Sequence, residues 1–311
     1  MIRLRKWLRK KWKQLVGTVA YSLAQYEQNQ SLRNEVHLFR LFLVTVLMVG
    51  LACGVVDEAY ASSATWIYTD EPVAQQKGAE RTTKQLAIVI DDFGNRMSGT
   101  DEMLSLPVKL TVAVMPFLQT TAKDAEQAHR LGHEVIVHMP MEPKHGRASW
   151  MGPGGILTSL SDQEIEQRVN KAIDAVPHAV GMNNHMGSKA TGDKRVMRIV
   201  LKVCKERGLY YLDSKTNYHS IVAEVGKEVG VPVIQNHVFL DDEVSTAHIS
   251  KQCKLIEQHL RDHAVCVTIG HVGTPGKKTA QVLGKFVPEL MKQVNIVPIS
   301  KLIERQQLQV Q

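Results

Sequence analysis

The chain has 311 residues, 44% of them hydrophobic and 22% charged, which is enough apolar mass for a large core and excludes a disordered polypeptide. Four cysteines in so long a chain exclude a disulfide-built scaffold, and Cys204, Cys253 and Cys266 lack the Cys-x-x-Cys spacing of a zinc ribbon. The net charge of +7 suggests nucleic acid until it is located: residues 1–40 hold nine Lys and Arg against Glu27 and Glu35, so the arm carries the whole excess and residues 41–311 balance.

That basic arm precedes sixteen uncharged residues, Leu41–Val56, and then the small-x-small site Ala59-Tyr60-Ala61. Basic region, apolar region and small-residue site together form the pattern of a secretory signal cleaved after Ala61. A permanent span needs about 18–20 apolar residues, so an uncleaved anchor is the alternative. Cys53 reads as a small residue inside this segment rather than a site of lipid attachment. Residues 3–20 also suit a basic amphipathic helix on an anionic membrane surface. Residues 1–61 are therefore expected to make the membrane contact. The rest is expected to be exported, either secreted or held at the outer face of the cytoplasmic membrane, with no nucleic-acid partner.

Residues 62–84 are polar, without sustained periodicity, and read as a linker. A working domain is expected over 85–311. Short apolar runs recur there at Leu86–Asp92, Leu110–Pro116, Glu134–Glu142, Ala179–His185, Leu209–Thr216, Val231–Asp241, Ala264–Val272 and Val294–Ile299. Between them lie amphipathic stretches, one marked by Ile165, Val169, Ala172, Ile173 and Val176 and another by Val196, Ile199, Val200 and Val203. Ser161 and Glu164 spell a capping box, Thr191 and Asp193 open the next helix, and Gly208 closes it. Continuous apolar strands alternating with such helices predict an α/β fold, a parallel sheet covered by helices. Seven or eight such units favour a closed β/α barrel, with an open doubly wound sheet as the alternative.

Polar residues stand at the carboxyl ends of most of these strands. Asp91 and Asp92 end the first, His138 and Glu142 the third, and Asn183, Asn184 and His185 the fourth. Asp213, Asp241 with Asp242, and His271 end the next three. In a β/α barrel these ends form one rim, where active sites of that fold are built. Carboxylates with neutral imidazoles suit a divalent metal, which polarises a carbonyl and acidifies water while a nearby carboxylate takes the proton. Neighbouring side chains in a strand point to opposite faces. Asp91 and Asp92 can therefore share one site only where the strand ends, and Phe93-Gly94 permits a turn there.

In combination, AIVIDDFG (87–94), GHEVIVHMPMEP (132–143), GMNNHMGSKAT (181–191), YYLDSKT (210–216), VFLDD (238–242) and TIGHVG (268–273) carry a family resemblance. The chain from about Gln85 to Glu304 resembles the divergent polysaccharide deacetylases, distant relatives of the sugar deacetylases of carbohydrate esterase family four. The resemblance implies a distorted β/α barrel, one divalent metal ion with zinc favoured, and hydrolysis of an acyl group on a polysaccharide or amino-sugar glycan. By position it places a base at Asp91, a metal ligand at Asp92 and another at His138. The relatives' second histidine falls on Glu142, so either Glu142 ligates or His185 completes the site. We favour His138 with His185 and keep Glu142 as a ligand or as a support behind the ligands. Asn183-Asn184-His185 replaces the relatives' arginine motif. His271 stands where they keep a general acid, Asp213 is expected to orient it or line the sugar site, and Asn184 and Asp241 are expected to touch substrate.

Other patterns carry less. Gly273–Thr279 superficially suggests a phosphate loop, but its spacing is wrong and a turn is the better account. The pairs His129 with His133 and His259 with His263 sit at helix ends, where surface or capping roles suffice. The loop 144–157, with Trp150, has the length of a substrate-contacting lid. The expected function is a metal-dependent acyl hydrolase. The alternatives are a non-catalytic glycan-binding protein and a glycosidase using Asp91 with Glu142.

Overall fold

The computed structural model describes residues 84–308; the basic arm, the signal segment and the linker through Thr83 lie outside the described residues. The first half runs β1 (Gln85–Phe93), α1 (Thr100–Leu104), β2 (Thr111–Val114), α2 (Thr121–Arg130), β3 (Glu134–Met141), α3 (Asp162–Ala175), β4 (Ala179–Met186) and α4 (Lys194–Glu206). The second half runs β5 (Tyr210–Asp213), α5 (Val222–Val229), β6 (Val233–Gln235), β7 (Val238–Phe239), α6 (Thr246–Asp262), β8 (Val265–His271), α7 (Gly276–Leu290), β9 (Asn295–Ile296) and α8 (Ile299–Leu308).

The strands are parallel and lie in the order β6-β5-β4-β3-β2-β1-β8-β7, with β9 against the start of β1. The ends of this path are joined by chain. Asn236 donates its N–H to the Asp213 carbonyl and His237 donates its N–H to the Val267 carbonyl, so two residues step across from β5 to β8. The sheet thus curls into a distorted β/α barrel whose seam is a covalent link instead of a strand pair. The run expected as one strand over Val231–Asp241 is accordingly two short strands, and the last expected strand shrinks to Asn295–Ile296 before Pro298 and α8.

Alternation along the strands sorts the core into two layers. Leu86, Ile88 and Ile90 of β1 pack outward with Ile165, Val169, Val196 and Leu283 of the surrounding helices. Ala87 and Val89 face inward with Ile136, Leu212, Val267 and Ile269, and Ile299, Leu302 and Ile303 of α8 join this inner cluster. Glu134 and Thr111, at the amino ends of their strands, accept the N–H groups of Ser300 and Ile299 and hold α8 in place. Of the expected caps, Ser161 and Glu164 form the reciprocal box at α3 and Asp193 accepts the Val196 N–H at α4, whereas Thr191 donates its hydroxyl to the Gly187 carbonyl and caps no helix. Among the described residues no helix is long and apolar enough to cross a membrane.

Candidate metal and catalytic site

Asp91 continues the inward series Ala87, Val89, Asp91, so alternation alone would send Asp92 to the helix side. The backbone breaks that rule. Asp92 takes a left-handed φ of 70°, and the β1–β2 register shifts between Ile90 and Phe93. Aspartate is among the few residues that tolerate this conformation. Gly94 completes the turn at φ 120°, where an added Cβ would lie 2.8 Å from the Met115 carbonyl oxygen. Both carboxylates consequently reach the same end of the barrel.

Three side chains converge there. Asp92 Oδ1 is 3.3 Å from His138 Nε2 and 3.1 Å from His185 Nδ1, and those two nitrogens are 3.2 Å apart. Bonds behind the rings settle which nitrogens carry protons. Asn183 Nδ2 donates to Asp91 Oδ1 at 2.9 Å, so its own oxygen accepts the Nδ1–H of His138 at 2.7 Å. His185 donates its Nε2–H to the Trp150 carbonyl oxygen at 3.2 Å. Both imidazoles are left with a lone pair aimed at Asp92 Oδ1, itself a buried oxygen with no hydrogen-bond partner. Bonds of about 2.0–2.2 Å from zinc to nitrogen and oxygen at tetrahedral angles would place such atoms roughly 3.3 Å apart. The donor set and its spacing fit a divalent metal.

The electrostatics agree with a cation site. Burial works against ionisation of Asp92, but hydrogen bonding and positive charge from the imidazole side outweigh it and hold the carboxyl well below the usual carboxylate range, so the triangle favours a cation between its atoms, whether proton or metal. Burial likewise disfavours a charged His138, yet Asp91 and Asp92 raise it above the ordinary imidazole value. Asp91 differs from its neighbour: burial dominates and lifts it above the usual range, against the opposing pull of His138 and His271. Asp91 Oδ2 lies 3.6 Å from His138 Nε2, beside the convergence point.

His271 lies on β8 directly across from Asp91 of β1. Its Nδ1 donates to Asp241 Oδ1 at 2.7 Å, and its backbone N–H donates to Asp241 Oδ2 at 2.9 Å. Burial depresses the imidazole, but the Asp241 hydrogen bond and the Asp91 carboxylate reverse that, and its pKa is pushed up to about 9. The ring is a proton donor at neutral pH.

Four expected site residues stand elsewhere. Glu142 is turned to the loops: Oε2 accepts from Thr158 N–H and hydroxyl at 2.6 and 2.7 Å, and Oε1 pairs with Lys189 at 2.7 Å. It supports the rim and is no part of the ligand triangle. Asp213 shares outward parity with the buried Tyr211, and its oxygens hold the Lys215 N–H and the Ser220 hydroxyl. It folds the loop after β5 and does not orient His271. Asn184, 1% exposed, donates to the Met186 carbonyl and accepts the Ser214 N–H, so it braces two loops and does not face substrate. Asp241 is saturated by His271 and the Thr279 hydroxyl, which leaves it a positioning residue. The Trp150 carbonyl was not foreseen at all, because a backbone acceptor in a loop has no residue signature.

A second cluster, His237, His259 and Cys266, gathers ligand atoms at the opposite end of the barrel. His133, also at that end, is a buried strut, accepting the Leu110 N–H at Nδ1 and meeting the Leu104 carbonyl at Nε2.

Comparison with known proteins assigns the chain. The family model of the divergent polysaccharide deacetylases matches residues 88–303, about two thirds of the sequence. An uncharacterized protein of Haemophilus influenzae is 33% identical over 239 residues, covering 77% of this chain and 81% of that protein. The uncharacterized protein YibQ of Escherichia coli is 35% identical over 224 residues, covering 72% of this chain and 69% of its own length. The crystal structure of the uncharacterized protein ATU2773 from Agrobacterium tumefaciens C58 superposes with a TM-score of 0.66 at 21% identity, over 71% of this chain and 89% of that one, and so shares the fold. With the motif-bearing strand ends all inside the matched span, the chain belongs to the divergent polysaccharide deacetylase family.

Proposed function

We propose that this chain is a divalent-metal-dependent hydrolase that removes an N- or O-acyl group from an amino sugar of a cell-wall or surface polysaccharide. The observation that carries the reading is the triangle of Asp92 Oδ1, His138 Nε2 and His185 Nδ1, with both imidazole lone pairs turned inward. A carboxylate with two neutral imidazoles is a zinc-type donor set, and a divalent ion held by Asp92, His138 and His185 would supply Lewis-acid polarisation of an acyl carbonyl and acidification of water. Asp91, buried and with its carboxyl raised above the usual range by that burial, takes the proton of the attacking water. Asn183 holds Asp91 and His138 in register, so base and ligand keep a fixed separation. His271, protonated through Asp241, gives a proton to the departing nitrogen or oxygen. The glycosidase alternative loses its second carboxylate, since Glu142 is bound to Thr158 and Lys189.

The basic arm and apolar segment of residues 1–61 support an exported enzyme working at the outer face of the cytoplasmic membrane. The decisive experiment follows acetate release from acetylated amino-sugar oligosaccharides by the purified chain, before and after chelation and after zinc is restored. Release that stops on chelation and returns with metal is the expected result. A chain that binds such oligosaccharides but releases no acetate with any divalent ion would be a glycan-binding protein instead.

A further inference from the structure

The loops after β3, β4 and β5 border an open cleft of about 310 Å³ on the same rim, lined by Lys144, Thr158, Lys189, Asp193, Asn217 and His219. It lies beyond Glu142, four residues along the chain from His138, or about 13 Å at strand rise. Nothing in the proposed chemistry uses it. Its charges are unevenly spent. The Lys189 ammonium is 2.7 Å from Glu142, and Asp193 caps α4. Lys144 has no carboxylate partner among the described residues; its ammonium meets only the Asn217 side-chain oxygen, at 3.3 Å.

Asn217 is the second observation. It is 6% exposed, and its oxygen accepts from Lys144 and from the His219 N–H at 3.0 Å. Two donors at the oxygen fix the orientation of the amide. Its Nδ2 group is then a buried donor without a partner. Leaving such a group unpaired costs about 1–3 kcal/mol. Gly192, another lining residue, leaves room beside it, since an added Cβ would stand 3.1 Å from Nδ2. Tyr218, which stands between two lining residues in the chain, is 97% exposed.

We infer that this cleft is a subsite for a carboxylate carried by the glycan, received by the Lys144 ammonium and the Asn217 Nδ2 group while the sugar ring rests on Tyr218. One uncompensated ammonium plus one amide donor matches a monoanion with two oxygens; a dianion would exceed the available positive charge. The inference rests on the glycan reading of the rim. It makes the preferred substrate an acidic amino-sugar polymer in place of a neutral one.

The test measures binding by titration calorimetry of the full chain with three probes. The first is an amino-sugar disaccharide bearing an ether-linked carboxylate, the second its methyl ester, and the third an amino-sugar disaccharide bearing a ring uronate. The carboxylate is expected to bind about tenfold more tightly than the ester, the scale of one charge-assisted contact. Lys144→Gln, at an exposed position, and Asn217→Asp are each expected to abolish most of that preference while leaving metal content unchanged. Comparing the two acids tells which source of carboxylate the cleft fits. Equal binding of acid and ester by the native chain would overturn the subsite, as would a preference that survives Lys144→Gln. A preference for acid in a chain that hydrolyses none of the probes would retain the subsite and remove the hydrolase reading.

Discussion

Two clusters of potential ligands sit at opposite ends of one barrel, and they differ in how their donor atoms are engaged. In each, three side chains bring a ligand atom within 4.8 Å of the others. At the carboxyl end the hydrogen bonds lie behind the rings, and two carboxylates raise His138. At the amino end the rings are already used by β8. His237 Nδ1 accepts the Val267 N–H, which leaves its proton on Nε2, and His259 donates its Nε2–H to the Val265 carbonyl. Burial and the neighbouring His259 push His237 down to about 4, and burial pushes the Cys266 thiol up to about 12. Proximity of ligand atoms is therefore insufficient. A metal also needs free lone pairs and a carboxylate among its ligands; at the amino end His237 Nδ1 is already taken by the Val267 N–H, and no carboxylate stands among the three converging side chains.

Metal content is the sharpest way to break this comparison. The purified chain is expected to hold about one divalent ion, measured by elemental analysis. Asp92→Asn, His138→Ala and His185→Ala are expected to lose nearly all of it, whereas His237→Ala and His259→Ala keep it. Metal that followed His237 instead would reverse the assignment of the two ends. Next in size is Asp91→Asn, which removes the base but no ligand. Acetate release should fall by about 10²–10⁴-fold with metal retained, the range expected for losing a general base.

A pH profile sharpens the role of Asp241. His271 must be protonated to act as acid, and its pKa is pushed up to about 9, so release should decline as pH rises through about 9. Asp241→Asn removes the hydrogen bond and the charge that raise it, so the decline should move to lower pH. An unchanged alkaline limb would detach His271 from the chemistry.

The parts of this site that were legible in the sequence depend on local rules, and the parts that were not depend on distant partners. Strand ends follow from apolar runs, so periodicity puts Asp91, His138 and His271 at the carboxyl rim, whereas Asp92 reaches it only through its left-handed turn. The capping box at Ser161 is equally local. Parity is harder. Asn183 and Asn184 are adjacent, and which one faces inward depends on a register shift between β3 and β4 at Val135/Val137. Asp213 and Asp241 both follow apolar runs, yet one serves a loop and the other serves His271, because β6 and β7 are separate strands on opposite sides of the seam. Glu142 stands at the position where the relatives carry a histidine, but Thr158 and Lys189, 16 and 47 residues away in the chain, claim its oxygens. No pattern within a window of a few residues carries that information.

The smallest expected effect tests whether the amino-end cluster is structural. His237 supplies the acceptor for the Val267 N–H beside the seam, where the chain crosses from β6 to β7. His237→Ala removes that acceptor at a partly solvated position, so the loss should be about 1 kcal/mol, near the net worth of one hydrogen bond. Chemical denaturation should show a lower midpoint with an unchanged slope, because the surface exposed on unfolding is the same. Metal content and acetate release should stay at the native level. A histidine that stabilised the barrel only through bound metal would behave otherwise: its loss would cost more in the metal-loaded chain than in the stripped one. Equal costs in the two forms are the signature of a hydrogen bond at the seam.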